Sequence, residues 1–99
     1  MHVGTVLQAD HFPEARKPAY KLHIDFGEKI GVKKTSAQIT DLYQLNTLVG
    51  KQVIAVTNFP PKQIGPFMSE VLVLGSVDDN GIVTLLQPDA PVANGTRIF

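Results

Sequence analysis

Apolar and polar residues alternate with a period of two along most of this chain. Tyr20, Leu22, Ile24 and Phe26 fall to one side, and Lys21, His23 and Asp25 to the other. That is the pattern of a half-buried β-strand. Gly27-Glu28-Lys29-Ile30-Gly31 reads as a turn, and a strand over 32–39 pairs back to make a hairpin. A first strand runs over 3–12 and stops at Pro13, with Gly4 as the place for a bulge or sharp bend. Gln52–Thr57 is nearly continuous in apolar residues, which predicts a strand covered on both faces. Glu70–Val77 is a further strand, and Asp78-Asp79-Asn80-Gly81 carries the Asn-Gly hairpin signal that returns the chain through Ile82–Leu86.

Helical spacing occurs once. Leu42, Leu45, Leu48 and Val49 recur at that spacing within 40–48, with Thr40 or Asp41 as cap and Gly50 as stop. The predicted class is therefore all-β. The element order, five strands with one short helix between strands 3 and 4, is that of a five-stranded OB-fold barrel. Another small barrel or sandwich has a similar strand count and stays open on pattern alone.

The chain has 99 residues, 43% of them hydrophobic and 18% charged. That is a globular composition and room for one modest core. It contains no cysteine, which excludes disulfide frameworks, thiolate metal sites and thiol chemistry. A small domain without staples suits a reducing compartment, so a cytoplasmic location is expected. No apolar run approaches the ~18 residues of a membrane helix, and no signal-peptide pattern opens the chain, so no membrane insertion is expected.

Nine basic and nine acidic residues balance, but unevenly. From His11 to Lys34, six basic residues (Arg16, Lys17, Lys21, Lys29, Lys33 and Lys34) meet only Glu14, Asp25 and Glu28. A local basic excess on a neutral chain points to a polyanionic partner, or simply to lysines solvating strand faces.

Catalytic signals are sparse. His2, His11 and His23 lack metal-pair spacing, and no glycine-flanked nucleophile turn surrounds Ser36, Ser69 or Ser76. No phosphate-cradling glycine loop is present. The expectation is a binding module rather than an enzyme, with no catalytic residue, metal or cofactor. In an OB barrel the ligand face is that of strands 2 and 3 with the neighbouring loops. Here that face carries Lys21, His23, Lys33 and Lys34, with Arg16 and Lys17 in the preceding loop. Single-strand binding combines such cations with stacking aromatics. Tyr20 and Phe26 are committed to the core, which leaves Phe59 and Phe67. Both lie in the irregular stretch 58–67, which has three prolines and one glycine. Such a rigid apolar loop either lowers the ordering cost of binding or plugs the barrel end.

These residues carry a resemblance. Gly4–Ala9, Lys17–Gly27, Ser36–Thr40 and above all the long run Asn58–Gly75 are similar to the CsaA family of export-related chaperones. That family lies within the wider tRNA-binding-domain class, and the likeness covers nearly the whole of 1–99. The resemblance implies one OB-fold domain, a homodimer, no enzymatic activity, and two roles: binding of tRNA or structured RNA, and capture of unfolded preprotein segments in protein export. It adds Asn58, Lys62, Ser69 and Glu70 to the RNA-binding candidates Arg16, Lys17, Lys21, Lys33 and Lys34. The peptide-binding candidates are Phe59, Ile64, Phe67 and Met68. Where the wider class has Ser-Gly in its third strand this chain has Ala37-Gln38, which favours the CsaA subgroup. The family also has a segment ahead of the first strand that joins the dimer. Here Met1-His2 directly precedes that strand, so either a weaker dimer or an earlier start site is expected. The rival expectation is a structural docking module for a single protein partner such as a tRNA synthetase.

Overall fold

A computed structural model describes residues 1–99. Five antiparallel strands form its main sheet. They are β1 (His2–His11), β2 (Tyr20–Asp25), β3 (Val32–Ala37), β4 (Gln52–Val56) and β7 (Leu72–Val73), in spatial order β3-β2-β1-β4-β7. Two hairpins stand apart from it: β5 (Lys62–Ile64) with β6 (Phe67–Ser69), and β8 (Gly75–Val77) with β9 (Val83–Leu85). Helix is confined to two single turns, α1 (Gly27–Ile30) and α2 (Leu45–Leu48).

The sheet curls until its edges nearly meet. The free edge of β3 is closed by the segment leading into β7. Glu70 donates its backbone N–H to the Lys34 carbonyl (2.8 Å), and its carboxylate accepts from the Lys34 N–H (3.0 Å). Thr35 Oγ1 donates to the Val71 carbonyl (2.7 Å), and Ser69 Oγ accepts from the Ser36 N–H (3.1 Å). The result is a nearly closed five-stranded barrel of the OB type, as the element order predicts. Its core is Val6, Leu22, Ile24, Phe26, Ile39, Leu48, Val53, Ala55 and Val71, with Tyr20 at one end.

The alternation in β2 survives intact: Tyr20, Leu22 and Ile24 are buried between half-buried Lys21, His23 and Asp25. The bulge in β1, expected at Gly4, lies at Leu7. Val6 pairs with Ile24 and Gln8 with His23, so one extra residue enters between them. The insertion lets Val6 and Ala9, three apart, both face the core. Gly4 has another role. A methyl group there would stand 2.6 Å from Ile24 Cγ2 and 2.7 Å from the Phe26 ring, so its bare backbone makes room for that ring.

Three other expectations are corrected. β4 alternates instead of being covered on both faces; Val53 and Ala55 are buried, while Ile54 and Val56 are only half-buried. The helix expected over 40–48 shrinks to α2, capped by Gln44 rather than Thr40 or Asp41. Tyr43 explains the loss. Its carbonyl accepts from Tyr20 Oη (2.8 Å) and its own hydroxyl accepts from the Leu85 N–H (2.9 Å), so tertiary bonds hold that backbone. Gly50 ends the turn as expected, at φ +92°. The strand expected over 70–77 divides into β7, paired with β4, and β8, paired with β9. The Asp78–Gly81 turn stands as expected, with Asp78 Oδ1 accepting from the N–H groups of Asn80 (2.9 Å) and Ile82 (3.0 Å).

Candidate nucleic-acid and polypeptide grooves

The stretch 58–67, expected to be an irregular loop, contains the first strand of a hairpin. Gly65-Pro66 is a two-residue turn, and Gly65 has φ +58°, the positive value a II′ turn requires at that position. Strand alternation then sorts the hairpin's side chains. Lys62 pairs with Ser69 and Ile64 with Phe67, so these four share one face, while Gln63 and Met68 share the other. The first face lies against the barrel. Phe67 packs on Phe12 with ring centres 5.4 Å apart, and with Ala19 the two form a small second core.

This placement divides the peptide-binding candidates. Phe67, expected in a stretch that either binds or plugs the barrel end, is 9% exposed and fills the space under the hairpin. Met68 is turned to the opposite side. Phe59 and Ile64 line a groove of about 450 Å³ with Ile39, Val71, Leu72 and Val83 among its apolar walls. Lys62 is the one charged residue on that groove's lining.

On the far side of β5 lies a second pocket, of about 600 Å³. Arg16 and Lys17 come to it from the β1–β2 loop and Lys62 from β5, against a single carboxylate, Glu14. Gln38 and Gln63 add amide groups that the sequence reading missed. Their positions follow from the end of β3 and the alternation of β5, but only once the hairpin is recognised. Ser36, Gln38, Lys62 and Ile64 line both cavities.

The remaining RNA-binding candidates lie around this pair of grooves. Lys21 Nζ stands over the rings of Phe12 (5.6 Å) and Phe67 (5.8 Å), and Lys34 Nζ over Phe67 (5.3 Å). Two ammonium groups thus cluster on one aromatic pair. Lys33 does not join them. It pairs with Ile24, so it faces the core side of β3, while Lys34 pairs with His23 on the outer side. The expected shared face of Lys33 and Lys34 is corrected by strand register. Asn58 is exposed beyond the end of β4 and lines neither cavity. Ser69 and Glu70 stand in the barrel seam, their side chains engaged by β3: Ser69 Oγ is 2.9 Å from Thr35 Oγ1, and both residues of that pair are buried. His23, on the polar side of β2, keeps its Nδ1 buried without a partner.

At the other end of the barrel, His2 Nδ1 lies 2.7 Å from Thr57 Oγ1. Its pKa is lowered by burial first, then by the positive charges of the chain's amino group and of Arg97.

Residues 1–97 match the family described as "Putative tRNA binding domain". Two solved structures share this fold closely. The chaperone CsaA of Bacillus anthracis is 53% identical at a TM-score of 0.93, over 99% of this chain and 88% of that one. The CsaA chaperone protein of Picrophilus torridus is 52% identical at 0.91, over 98% and 88%. Among curated proteins, the methionine–tRNA ligase of Methanocaldococcus jannaschii is 32% identical over 98 residues. That alignment takes in 99% of this chain and only 15% of the ligase, so the likeness is to one part of a much longer protein.

Proposed function

Because the chain belongs to the tRNA-binding domain family, we propose that it binds tRNA or similarly structured RNA through the pocket of Arg16, Lys17 and Lys62. One observation carries this reading. Two separate segments bring three cations to one pocket against one carboxylate, on a chain whose formal net charge is zero. Phosphate contacts of this kind supply affinity and register, and they release counterions. Lys21 and Lys34 extend the positive surface over the Phe12–Phe67 pair. Ser69 and Glu70 hold the wall beside it. The protein is read as a non-enzymatic, cytoplasmic homodimer in which doubled sites raise modest affinity by avidity.

The apolar groove favours a second role beside the first. Eleven of its sixteen lining residues are hydrophobic, and two CsaA structures similar to this chain carry the word chaperone in their names. The groove suits an uncharged, extended segment of an unfolded chain, such as a preprotein before export.

Fluorescence anisotropy of labelled bulk tRNA tests the first reading. Saturable binding at micromolar protein in low salt, falling steeply toward physiological salt, is the expected result. No binding at either salt would overturn it. Co-purification with a single protein, such as a synthetase, would then favour a docking module.

A further inference from the structure

The two grooves are separated by very little. Strand β5 is paired only with β6, and its other edge is free of strand pairing. Its side chains form the partition, and Lys62 and Ile64 belong to both sides of it, as do Ser36 and Gln38 beneath. The grooves differ sharply in chemistry. One holds a single charge among sixteen lining residues; the other is lined by Glu14, Arg16, Lys17 and Lys62 with only three hydrophobic residues among eleven.

Lys62 is the pivot. A lysine lays its methylene stem along apolar surface while its ammonium reaches for water or an anion. Lys62 is exposed. With its ammonium on a phosphate in the basic pocket, the side chain is committed to that side of β5. An apolar segment filling the neighbouring groove packs on the stem where it lies along that groove's wall, a position that withdraws the ammonium from the phosphate side. Burying that charge against an apolar occupant without a partner is costly.

We infer that RNA in the basic pocket and an apolar polypeptide segment in the adjoining groove exclude one another, with Lys62 as the shared element. RNA is then a negative effector of polypeptide capture, and polypeptide a negative effector of RNA binding. Linkage makes the two effects equal in magnitude. This inference rests on the function proposed above.

The test is a two-ligand titration of the intact protein. The probes are bulk tRNA and a dye-labelled neutral peptide with a Leu-Val-Leu-Val-Leu centre flanked by Ser-Gly. Each is first titrated alone, then with the other saturating. The expected result is that tRNA raises the apparent Kd of the peptide by about fivefold or more, and the peptide raises that of tRNA by the same factor. In Lys62→Ala the factor falls toward one. If both probes bind alone and the factor stays at one, the exclusion is wrong while the proposed function stands. If the peptide does not bind alone, the exclusion falls and RNA binding is untouched. If tRNA does not bind alone, the proposed function fails and takes the exclusion with it. A factor unchanged in Lys62→Ala would overturn the role of that side chain.

Discussion

Ser69 Oγ and Thr35 Oγ1 stand 2.9 Å apart inside the barrel wall, and this buried hydroxyl pair joins two edges that no backbone ladder closes. Thr35 is fully buried and Ser69 is 5% exposed. Each also bonds the backbone, Thr35 to the Val71 carbonyl and Ser69 to the Ser36 N–H. Beside the one backbone bond from Glu70 to Lys34, the seam therefore depends on side chains where the rest of the barrel depends on strands.

Ser69→Ala is expected to weaken that seam. It deprives the Ser36 N–H of its acceptor and Thr35 of one partner. An unsatisfied buried polar group costs about 1–3 kcal/mol. Urea unfolding followed by circular dichroism should show a midpoint lowered accordingly, with an unchanged slope.

Phe67 and Phe59 should separate cleanly. Phe67 fills the small core with Phe12, so Phe67→Ala is expected to cost roughly 3 kcal/mol of stability through the cavity it leaves. Phe59 stands on the apolar groove, half-exposed, so Phe59→Ala should leave the unfolding midpoint nearly unchanged and weaken capture of an apolar peptide. Thermal unfolding and peptide anisotropy on both variants give the two readings.

Gly4→Ala places a methyl group within 2.8 Å of both Ile24 and Phe26. Overpacking of this kind typically costs about 1–3 kcal/mol. The backbone of Gly4 is not in the left-handed region, so the penalty is steric alone. Phe26→Leu in the same chain should recover part of it, which a double-mutant cycle on unfolding free energies would measure.

The strands were legible in the sequence because each is a local statement. Tyr20–Phe26 alternates, and Asp78–Gly81 turns, whatever surrounds them. What depended on pairing was not legible. The bulge at Leu7 exists only in the register of β1 against β2, and the break between β7 and β8 exists because Leu72–Val73 and Gly75–Val77 find different partners. The helix over 40–48 lost its first half to hydrogen bonds of Tyr43 with Tyr20 and Leu85, both distant in sequence. The site behaved the same way. Arg16, Lys17 and Lys62 were named from charge and resemblance, but their shared pocket needed the hairpin. The opposite facing of Lys33 and Lys34 needed the register of β3.

Stability should also respond to pH through His2. Its pKa in the folded protein lies below the ordinary value of 6.5. Below that value the unfolded chain takes up a proton that the folded protein resists, so this contribution is full above about pH 6.5 and is lost as the pH falls toward the lowered pKa. The unfolding midpoint should therefore decline from pH 7 to pH 5. His2→Gln, which retains a polar partner for Thr57, should remove that part of the decline, as thermal unfolding across this range would show.

The pocket of Arg16, Lys17 and Lys62 is proposed above as the RNA site. The most direct measurement is tRNA affinity across a salt series for the intact protein, for a variant with Arg16→Ala, Lys17→Ala and Lys62→Ala together, and for Lys29→Ala. Lys29 lies at the other end of the barrel, beside Asn94 and His2. Each phosphate-contacting cation contributes about one unit to the slope of log affinity against log salt. Binding through that pocket gives a triple variant with much weaker binding and a slope lower by roughly three, and a Lys29 variant that binds as the parent does. A triple variant with the parent's affinity and slope would contradict it.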